Sequence, residues 1–237
     1  MSSSTASSAR GMTRIPVLRV ALRKTWIASL TALLVASLGL ALADLAWSQA
    51  PAPTPPDQFI DSISNRILDR IRKDPAIASG DTQRVLSFVD EEIMPHVNFE
   101  RMTALSVGRG WRQASPAQQR ELVEQFRLLL VRTYSGALSQ ASDKSVRMRP
   151  LRADPAATEV LVRTELVGTR GDPIQIDYRL ERAGSAWKIY DVNVLGIWIV
   201  QTYRDQFAQE TSAKGLDGLI ASLKERNQQA AQTGPRR

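Results

Sequence analysis

IQIDYRLERAGSAWKIYDVNVLGIWIVQTYRDQF, residues 174–207, has the pattern of two strands followed by a helix. Apolar and polar residues alternate at its start, which is the period of a β-strand with one apolar face. The apolar face carries Ile174, Ile176, Tyr178 and Leu180, and the opposite face carries Gln175, Asp177, Arg179 and Glu181. A short connection with Gly184 predicts a tight hairpin into a second strand from Trp187. The spacing turns helical from Gly196, so we expect an apolar sheet face with a helix to close it.

The second strand changes the parity of its apolar residues part-way along. Trp187 and Ile189 alternate, but Val192 and Val194 have the other parity. We interpret the change as a β-bulge near Tyr190-Asp191, because one extra residue shifts the alternation. A bulge bends its strand, so the sheet is predicted to be curved.

Helical patterns flank the strands on both sides. The clearest helix start is Ser115, a cap followed by Pro116 and by Gln118, which completes a capping box. Other helices are expected from Asp57, from Asp81 or Thr82, over residues 99–108, and after Gly215. Further strands are expected at 146–148 and 160–166. Helices, a meander of about four strands and helices again predict an α+β fold, with a curved antiparallel sheet packed against several helices.

The N-terminal residues have the pattern of a secretory signal. Basic residues precede an apolar run at 26–43, and small residues follow at Ala43 and Ala50. We therefore expect a signal peptide over 1–50 with cleavage near 43–50, a Pro-rich linker over 51–56, one domain over 57–226 and a disordered tail over 227–237. An uncleaved membrane anchor is the competing interpretation, because the run reaches the lower limit of a bilayer-spanning helix.

Charge and motifs argue against several classes of function. Residues 1–50 hold five of the 31 basic and one of the 24 acidic residues, so the remainder has a net charge of about +3. These charges are mixed rather than clustered, so we expect no nucleic-acid partner. His96 is the single histidine and the chain has no cysteine, so we expect no metal site and no disulfide. The sequence has no nucleophile elbow and no phosphate-binding glycine loop.

Three segments resemble the MlaC family, also called toluene-tolerance auxiliary proteins. They are MPHVNFERMTALSVGRGWRQASPAQQRELVEQFRLLLVRTYSGAL at 94–138, WKIYDVNVLGIWIVQTYRDQF at 187–207 and GLDGLIASLKER at 215–226. The most specific parts are PHVNF at 95–99, GWR at 110–112, Trp187 with Asp191-Val192, and Tyr203-Arg204 with Phe207. The chain departs from the family at Ile197-Trp198, where a small or polar residue, often Val-Ser, is usual.

The resemblance implies a periplasmic phospholipid carrier. Such a carrier moves lipid between an outer-membrane lipoprotein complex and an inner-membrane ABC transporter complex, acts as a monomer, uses no cofactor and catalyses no covalent change. The implied fold is a cone like that of nuclear transport factors, with an apolar cavity for the acyl chains. The long helix from Ser115 then serves as a lid over the sheet.

The lipid-binding residues expected from this resemblance are apolar or aromatic. They are Phe126, Leu130, Tyr134, Val160, Val162, Leu166, Ile174, Ile176, Tyr178, Leu180, Trp187, Ile189, Val194 and Trp198. A lipid must hide its tails at about 0.8 kcal/mol per buried CH₂, which such walls can provide. Ordinary core packing is the alternative for each residue, because every α+β domain buries an apolar sheet face.

Two other classes of function stay open. An enzyme on a similar cone would place a carboxyl of raised pKa in the cavity, with Asp177 and Asp191 as candidates. The other class is a membrane-anchored adaptor without ligand, which would keep residues 26–43 as its anchor. We also expect Asp191 to pair with Arg204. We expect Arg109 and Arg112 to form a solvated basic turn, with contact to phosphate or to an acidic partner as the alternative.

Overall fold

A computed structural model describes residues 54–154, 156–169 and 171–233. Within these residues the α-helices are α1 Pro56–Lys73, α2 Pro75–Ala78, α3 Thr82–Phe88, α4 Phe99–Val107, α5 Arg109–Gln113, α6 Pro116–Ser139 and α7 Ile199–Thr233. A π-helical turn, Val89–Ile93, and a 3-10 turn, Met94–His96, connect α3 to α4. The strands are β1 Ser145–Met148, β2 Glu159–Val167, β3 Ile174–Ala183, β4 Ala186–Val194 and β5 Ile197–Trp198.

The five strands form one antiparallel sheet in the order β1-β2-β3-β4-β5. The α+β class and the meander are confirmed, with a short fifth strand where about four strands were expected. The expectation that a helix starts at Gly196 is wrong. Leu195 and Gly196 both have positive φ, so they form a two-residue turn, and Ile197 pairs back onto Val194. Helix α7 therefore begins only at Ile199.

The bulge in β4 is confirmed at Tyr190. Arg179 pairs with Asp191 and Leu180 pairs with Ile189, so Tyr190 is the extra residue on β4. The extra residue corrects the parity change seen in the sequence. As a result, the apolar residues on both sides of the bulge lie on the same face of the sheet.

The long helices begin and bend where their residues predict. Ser115 and Gln118 form the expected capping box at the start of α6. Helix α7 bends at Gly215, whose φ of 71° and ψ of −177° are not helical, and this agrees with a last helix beginning after Gly215.

The expectation of a disordered tail from Asn227 is wrong for the described residues. Helix α7 continues to Thr233, and Asn227 is only 3% exposed. Its side-chain amide donates to the main-chain carbonyl and to Oε1 of Gln125, at 2.9 and 2.8 Å. A buried amide that is bonded to α6 holds this end of α7 in place. Residues 234–237 lie outside the described residues.

The N-terminal predictions also lie outside the described residues. They are the signal peptide over 1–50, the anchor alternative at 26–43 and the linker as far as residue 53. In the part of the chain that the structure describes, no helix combines the length and apolar character needed to cross a membrane.

The buried apolar residues form three clusters. The aromatic cluster joins α4, α6 and α7 and includes Phe99, Phe126, Tyr203 and Phe207. The helical cluster joins α1, α2, α3 and α6 and includes Ile71, Ile77, Phe88 and Val131. The sheet cluster consists of Ile60 from α1 with Val162, Leu180, Trp187 and Ile189. The sheet is thus packed against α1, and the other helices pack mainly against one another.

Candidate functional site

One face of the sheet is almost wholly apolar, and we call it the inner face. By strand register it carries Val146, Met148, Val160, Val162, Thr164, Leu166, Ile174, Ile176, Tyr178, Leu180, Arg182, Trp187, Ile189, Val192 and Val194. Within the described strands, Arg182 is its one charged residue. It lies at the hairpin end, where its guanidinium is 4.6 Å from the centre of the Trp187 ring. Away from that end, the polar groups of the inner face are the hydroxyls of Thr164 and Tyr178.

The opposite, outer face carries the charges of the sheet. Arg101 of α4 pairs there with Glu159 at 2.6 Å and also with Glu181. Arg147 and Arg149 both pair with Glu165. The charged residues thus lie on one face of the sheet and the apolar residues on the other, as the alternation of β3 predicts.

Asp191 is fully buried on the outer face. Its carboxylate accepts from the main-chain N–H groups of Val192 and Val200, at 2.9 and 3.1 Å, and pairs with Arg179 at 2.9 Å. Burial raises the pKa of Asp191, although these partners favour the charged form. The expected pairing with Arg204 is wrong, because β3 brings Arg179 directly opposite Asp191.

The inner face is filled near the β3–β4 hairpin and open at its other end. Leu180 is fully buried and Trp187 is 3% exposed, both within the sheet cluster. At the opposite end Ile174, Ile176 and Val194 are only half-buried and belong to none of the three clusters described. We call these three residues the open end. Inward-facing apolar side chains that stay accessible border a space that protein atoms do not fill.

Helices α1 and α6 continue this wall. Leu166 and Val146 from the sheet pack on the helical cluster, as do Ile67 of α1 and Leu138 of α6. All four side chains are half-buried. Sheet, α1 and α6 therefore meet around a lining that is apolar and incompletely packed.

Tyr178 places a hydroxyl within this lining. Its side chain is half-buried by surface area, yet burial is the largest cause that raises the pKa of its phenol. The hydroxyls of Thr164 and of Ser64 on α1 bond to it and act in the opposite direction. Tyr178 therefore brings a phenol to the inner face beside α1.

The predicted lipid-binding residues fall into three groups. The half-buried ones are Leu130, Val160, Leu166, Ile174, Ile176, Tyr178 and Val194, and Tyr134 on α6 is 39% exposed. The packed ones are Val162, Leu180, Trp187 and Ile189 in the sheet cluster. The third group consists of Phe126 and Trp198, which lie away from the inner face.

Phe126 is a core residue in this structure rather than a lining residue. It is fully buried, and its ring centre lies 4.8 Å from that of Tyr203 and 5.2 Å from that of Phe207. The expectation that Trp198 lines the lipid space is wrong. Trp198 pairs with Asn193 on the outer face, where the Arg179 guanidinium lies 3.9 Å from its ring centre.

The sequence argument missed the part that α1 plays in the site. Ile60 packs into the sheet cluster, Ser64 reaches Tyr178, and Ile67 borders the helical cluster. Their spacing of three and four residues marks an apolar helix face. That spacing was visible, but it does not say against which element the helix packs.

Other polar groups do not assemble into a second site on the inner face. Of two surface clefts, one of about 490 Å³ lies beside residues 150–154 and β2 and includes Val160 of the inner face. The other, of about 460 Å³, lies between α6 and the end of α7. Among the described residues, no three potential metal ligands come together. Arg109 and Arg112 are exposed on α5.

Comparison with known proteins identifies the family. The family model described as MlaC protein matches residues 61–225. The chain belongs to the MlaC family. This confirms the resemblance carried by the PHVNF, GWR and Tyr203-Arg204 motifs.

Relatives within and around the MlaC family cover different shares of the chain. Toluene tolerance protein ttg2D of Pseudomonas putida is 32% identical over 106 residues, which is 45% of this chain and 49% of that protein. The match therefore spans about half of that relative. The intermembrane phospholipid transport system binding protein MlaC of Haemophilus influenzae is 20% identical over 205 residues, covering 85% of this chain and 92% of that protein.

A solved structure shares the MlaC-like fold. The phospholipid-binding protein from Ralstonia solanacearum, solved in complex with a phospholipid, has 38% sequence identity and a TM-score of 0.71. The superposition covers 77% of this chain and 99% of that one. At this identity the likeness extends beyond fold class to the family.

Proposed function

We propose that this chain binds a phospholipid, with the acyl chains held between the inner face of the sheet and helices α1 and α6. The observation that carries the proposal is the open end, Ile174, Ile176 and Val194, whose apolar side chains face inward, are only half-buried and belong to none of the three clusters. The phospholipid complex of the 38% identical Ralstonia protein supports the choice of ligand.

The chemistry of the inner face suits acyl chains better than a polar ligand. Each buried CH₂ of a tail contributes about 0.8 kcal/mol, so an uncharged wall is sufficient to hold two tails. The hydroxyl of Thr164 donates to the main-chain carbonyl of Ile176 at 2.9 Å, and Thr164 and Ser64 both bond to the phenol of Tyr178, so these polar groups have protein partners. A charged head group would then stay outside the lining, in or near solvent.

We further propose that the protein is a periplasmic carrier and a monomer. It would receive and deliver lipid between an outer-membrane lipoprotein complex and an inner-membrane ABC transporter complex. Support comes from the family and from the Haemophilus relative, which is named as part of an intermembrane phospholipid transport system. The signal peptide expected over residues 1–50 would direct this export.

Catalysis on a cone fold is less well supported. The carboxyls considered for it, Asp177 and Asp191, lie on the outer face, across the sheet from Tyr178. Asp191 is also occupied by two main-chain N–H groups and Arg179. The adaptor alternative depends on residues 26–43, and comparing the mass of the exported protein with that of its precursor would test it.

Native mass spectrometry with lipid extraction tests phospholipid binding. The protein is purified without detergent from the compartment where it accumulates, and a co-purifying phospholipid near one per chain is the expected result. A mass without lipid, unchanged after incubation with phospholipid vesicles, would refute the proposal.

A pair of serine variants locates the binding face. Ile176→Ser changes the open end, whereas Gln175→Ser changes the neighbouring exposed residue on the outer face. We expect Ile176→Ser to weaken phospholipid binding by about tenfold, from the loss of one apolar side chain at the tails. Gln175→Ser should bind like the wild type. Equal binding by both variants would place the acyl chains somewhere else.

A further inference from the structure

The turn between β4 and β5 exposes two large apolar side chains. Leu195 is 64% exposed and Ile197 is 61% exposed, whereas the other exposed large apolar residues described, Leu105 and Tyr134, reach 36% and 39%. We call Leu195, Gly196 and Ile197 the apolar tip. Adjacent exposed apolar side chains at a protruding turn are typical of an interaction site rather than of a free surface.

The backbone of the tip is also unfavourable for its residue. Leu195 has a φ of 53° and is the one described residue other than glycine with positive φ. Two-residue hairpin turns with positive φ at both positions prefer Asn, Asp or Gly at the first position, because positive φ is unfavourable for a large apolar residue. Neither packing nor turn geometry therefore explains a leucine at this position. An outlier of this kind points to function.

The surroundings of the tip match the layers of a membrane surface. Residues 192–203 contain no charged residue, and the next residue, Arg204, is an exposed cation. At the base of the tip, the Arg179 guanidinium lies 3.9 Å from the ring centre of Trp198. Aromatic rings and cations with apolar stems are the side chains that favour the level of lipid head groups. The exposed acid Asp172 lies near the start of β3, so we expect apolar burial to contribute more than net charge.

The tip adjoins the open end of the inner face. The N–H of Leu195 donates to the carbonyl of Gln175 at 3.1 Å, and Val194 precedes the tip directly. A surface that covers the tip therefore also meets the end of the sheet where Ile174 and Ile176 are only half-buried.

We propose that the apolar tip inserts into the head-group and acyl boundary of a phospholipid bilayer. Insertion sets the open end of the inner face against the membrane, where a lipid tail can pass between the two. A two-residue protrusion fits a deformable bilayer without a matching pocket, which a protein partner would have to supply. This role deepens the proposed phospholipid binding and rests on it, but contact of the tip with a bilayer can be measured separately.

Site-specific fluorescence tests the insertion. The chain has no cysteine, so Ile197→Cys and Ser185→Cys each give one position for a nitrobenzoxadiazole label. Ser185 is an exposed residue of the β3–β4 turn, at the opposite end of β4, and is the matched control. With vesicles of phosphatidylethanolamine and phosphatidylglycerol, we expect a blue shift and quenching by brominated lipid at 197 and no change at 185. No fluorescence change at 197, or equal changes at both positions, overturns the proposal. No change at 197 is also the result expected if the tip instead enters a pocket of a partner protein.

A double variant separates this contact from lipid binding. Leu195→Ser with Ile197→Ser should lower vesicle association by at least about tenfold, because two apolar side chains no longer enter the bilayer. Co-purifying phospholipid should stay at the wild-type level, since the tip lies outside the lining. Unchanged vesicle association refutes the tip and leaves phospholipid binding standing. A protein that carries no phospholipid but still responds at position 197 refutes the proposed function and not the tip.

Discussion

Replacing Phe126 by alanine should destabilise the domain strongly while leaving its lipid-binding face intact. The ring is fully buried at the centre of the aromatic cluster, with ring centres at 4.8 Å for Tyr203, 5.2 Å for Phe207 and 5.5 Å for Phe99. Truncation of a buried phenylalanine costs about 3–5 kcal/mol. Three ring contacts at these distances place the expected loss in the upper half of that range.

Urea unfolding followed by circular dichroism measures this loss. With a slope of about 2 kcal/mol/M for a domain of this size, a loss of about 4 kcal/mol lowers the unfolding midpoint by roughly 2 M. Bound phospholipid also raises the midpoint, so lipid is extracted from all samples before unfolding. Because single domains have about 5–15 kcal/mol of stability, the variant should still be folded without urea.

Leu130→Ala is the matched control, one helical turn along α6. Leu130 packs half-buried against the same aromatic cluster, so its truncation should cost less than half as much. The reasoning fails if Phe126→Ala costs under about 1 kcal/mol and strips the lipid. That result would mean that Phe126 borders the ligand and that the aromatic cluster opens to admit it.

Four further substitutions, one of them a control, test separate features by urea unfolding. Burial raises the pKa of Asp191, so the unfolded chain releases this proton at lower pH than the folded domain does. The free energy of unfolding of the wild type should therefore fall as pH rises above the ordinary value of 3.8, and Asp191→Asn should lack this fall. The 2.6 Å pair with Arg84 holds the pKa of Asp74 low, so Asp74→Asn should be less stable than the wild type at neutral pH, and the difference should vanish as pH falls through the lowered pKa. Gly215→Ala forces a side chain onto φ 71° and should cost about 1–3 kcal/mol. Gly136→Ala, where a Cβ meets nothing within 4 Å, should instead gain up to about 1 kcal/mol.

A specific result would contradict each of these predictions. An Asp191→Asn variant with the pH profile of the wild type would mean that the carboxyl does not titrate differently on folding. A difference for Asp74→Asn that persists at low pH would assign its effect to helix capping rather than to the ion pair. Equal effects at Gly215 and Gly136 would show that the bend in α7 is not strained by a side chain.

Local pattern was sufficient for most of the fold. The alternation from Ile174, the bulge at Tyr190 and the capping box at Ser115 each depend on a few neighbouring residues, and each is confirmed. The errors occurred at a turn that lacks the usual first residue and at a helix end that a distant residue holds. Strand β5 exists because Ile197 pairs with Val194 across a tight turn, and the end of α7 is ordered because Asn227 bonds to Gln125.

The sequence predicts which residues lie on the inner face of the sheet, but not which of them stay accessible to a ligand. Period-two alternation separates the inner from the outer face of β3, because successive side chains of a strand point to opposite sides. It does not distinguish Leu180, which is fully packed, from Ile176, which is half-buried on the same face. Trp198 shows the same limit, since its side of the sheet is set by the turn that precedes it.

Periodicity, caps and motifs are local properties of the chain, so they were enough to predict the order of helices and strands, the apolar face of the sheet and the family. Which apolar residues are packed and which stay accessible depends instead on how the elements come together. Burial depends on what lies opposite a side chain, and here α1 fills the hairpin end of the sheet with Ile60 while nothing described fills the end at Ile174. The same holds for Leu195, whose exposure follows from a turn that no packing partner covers.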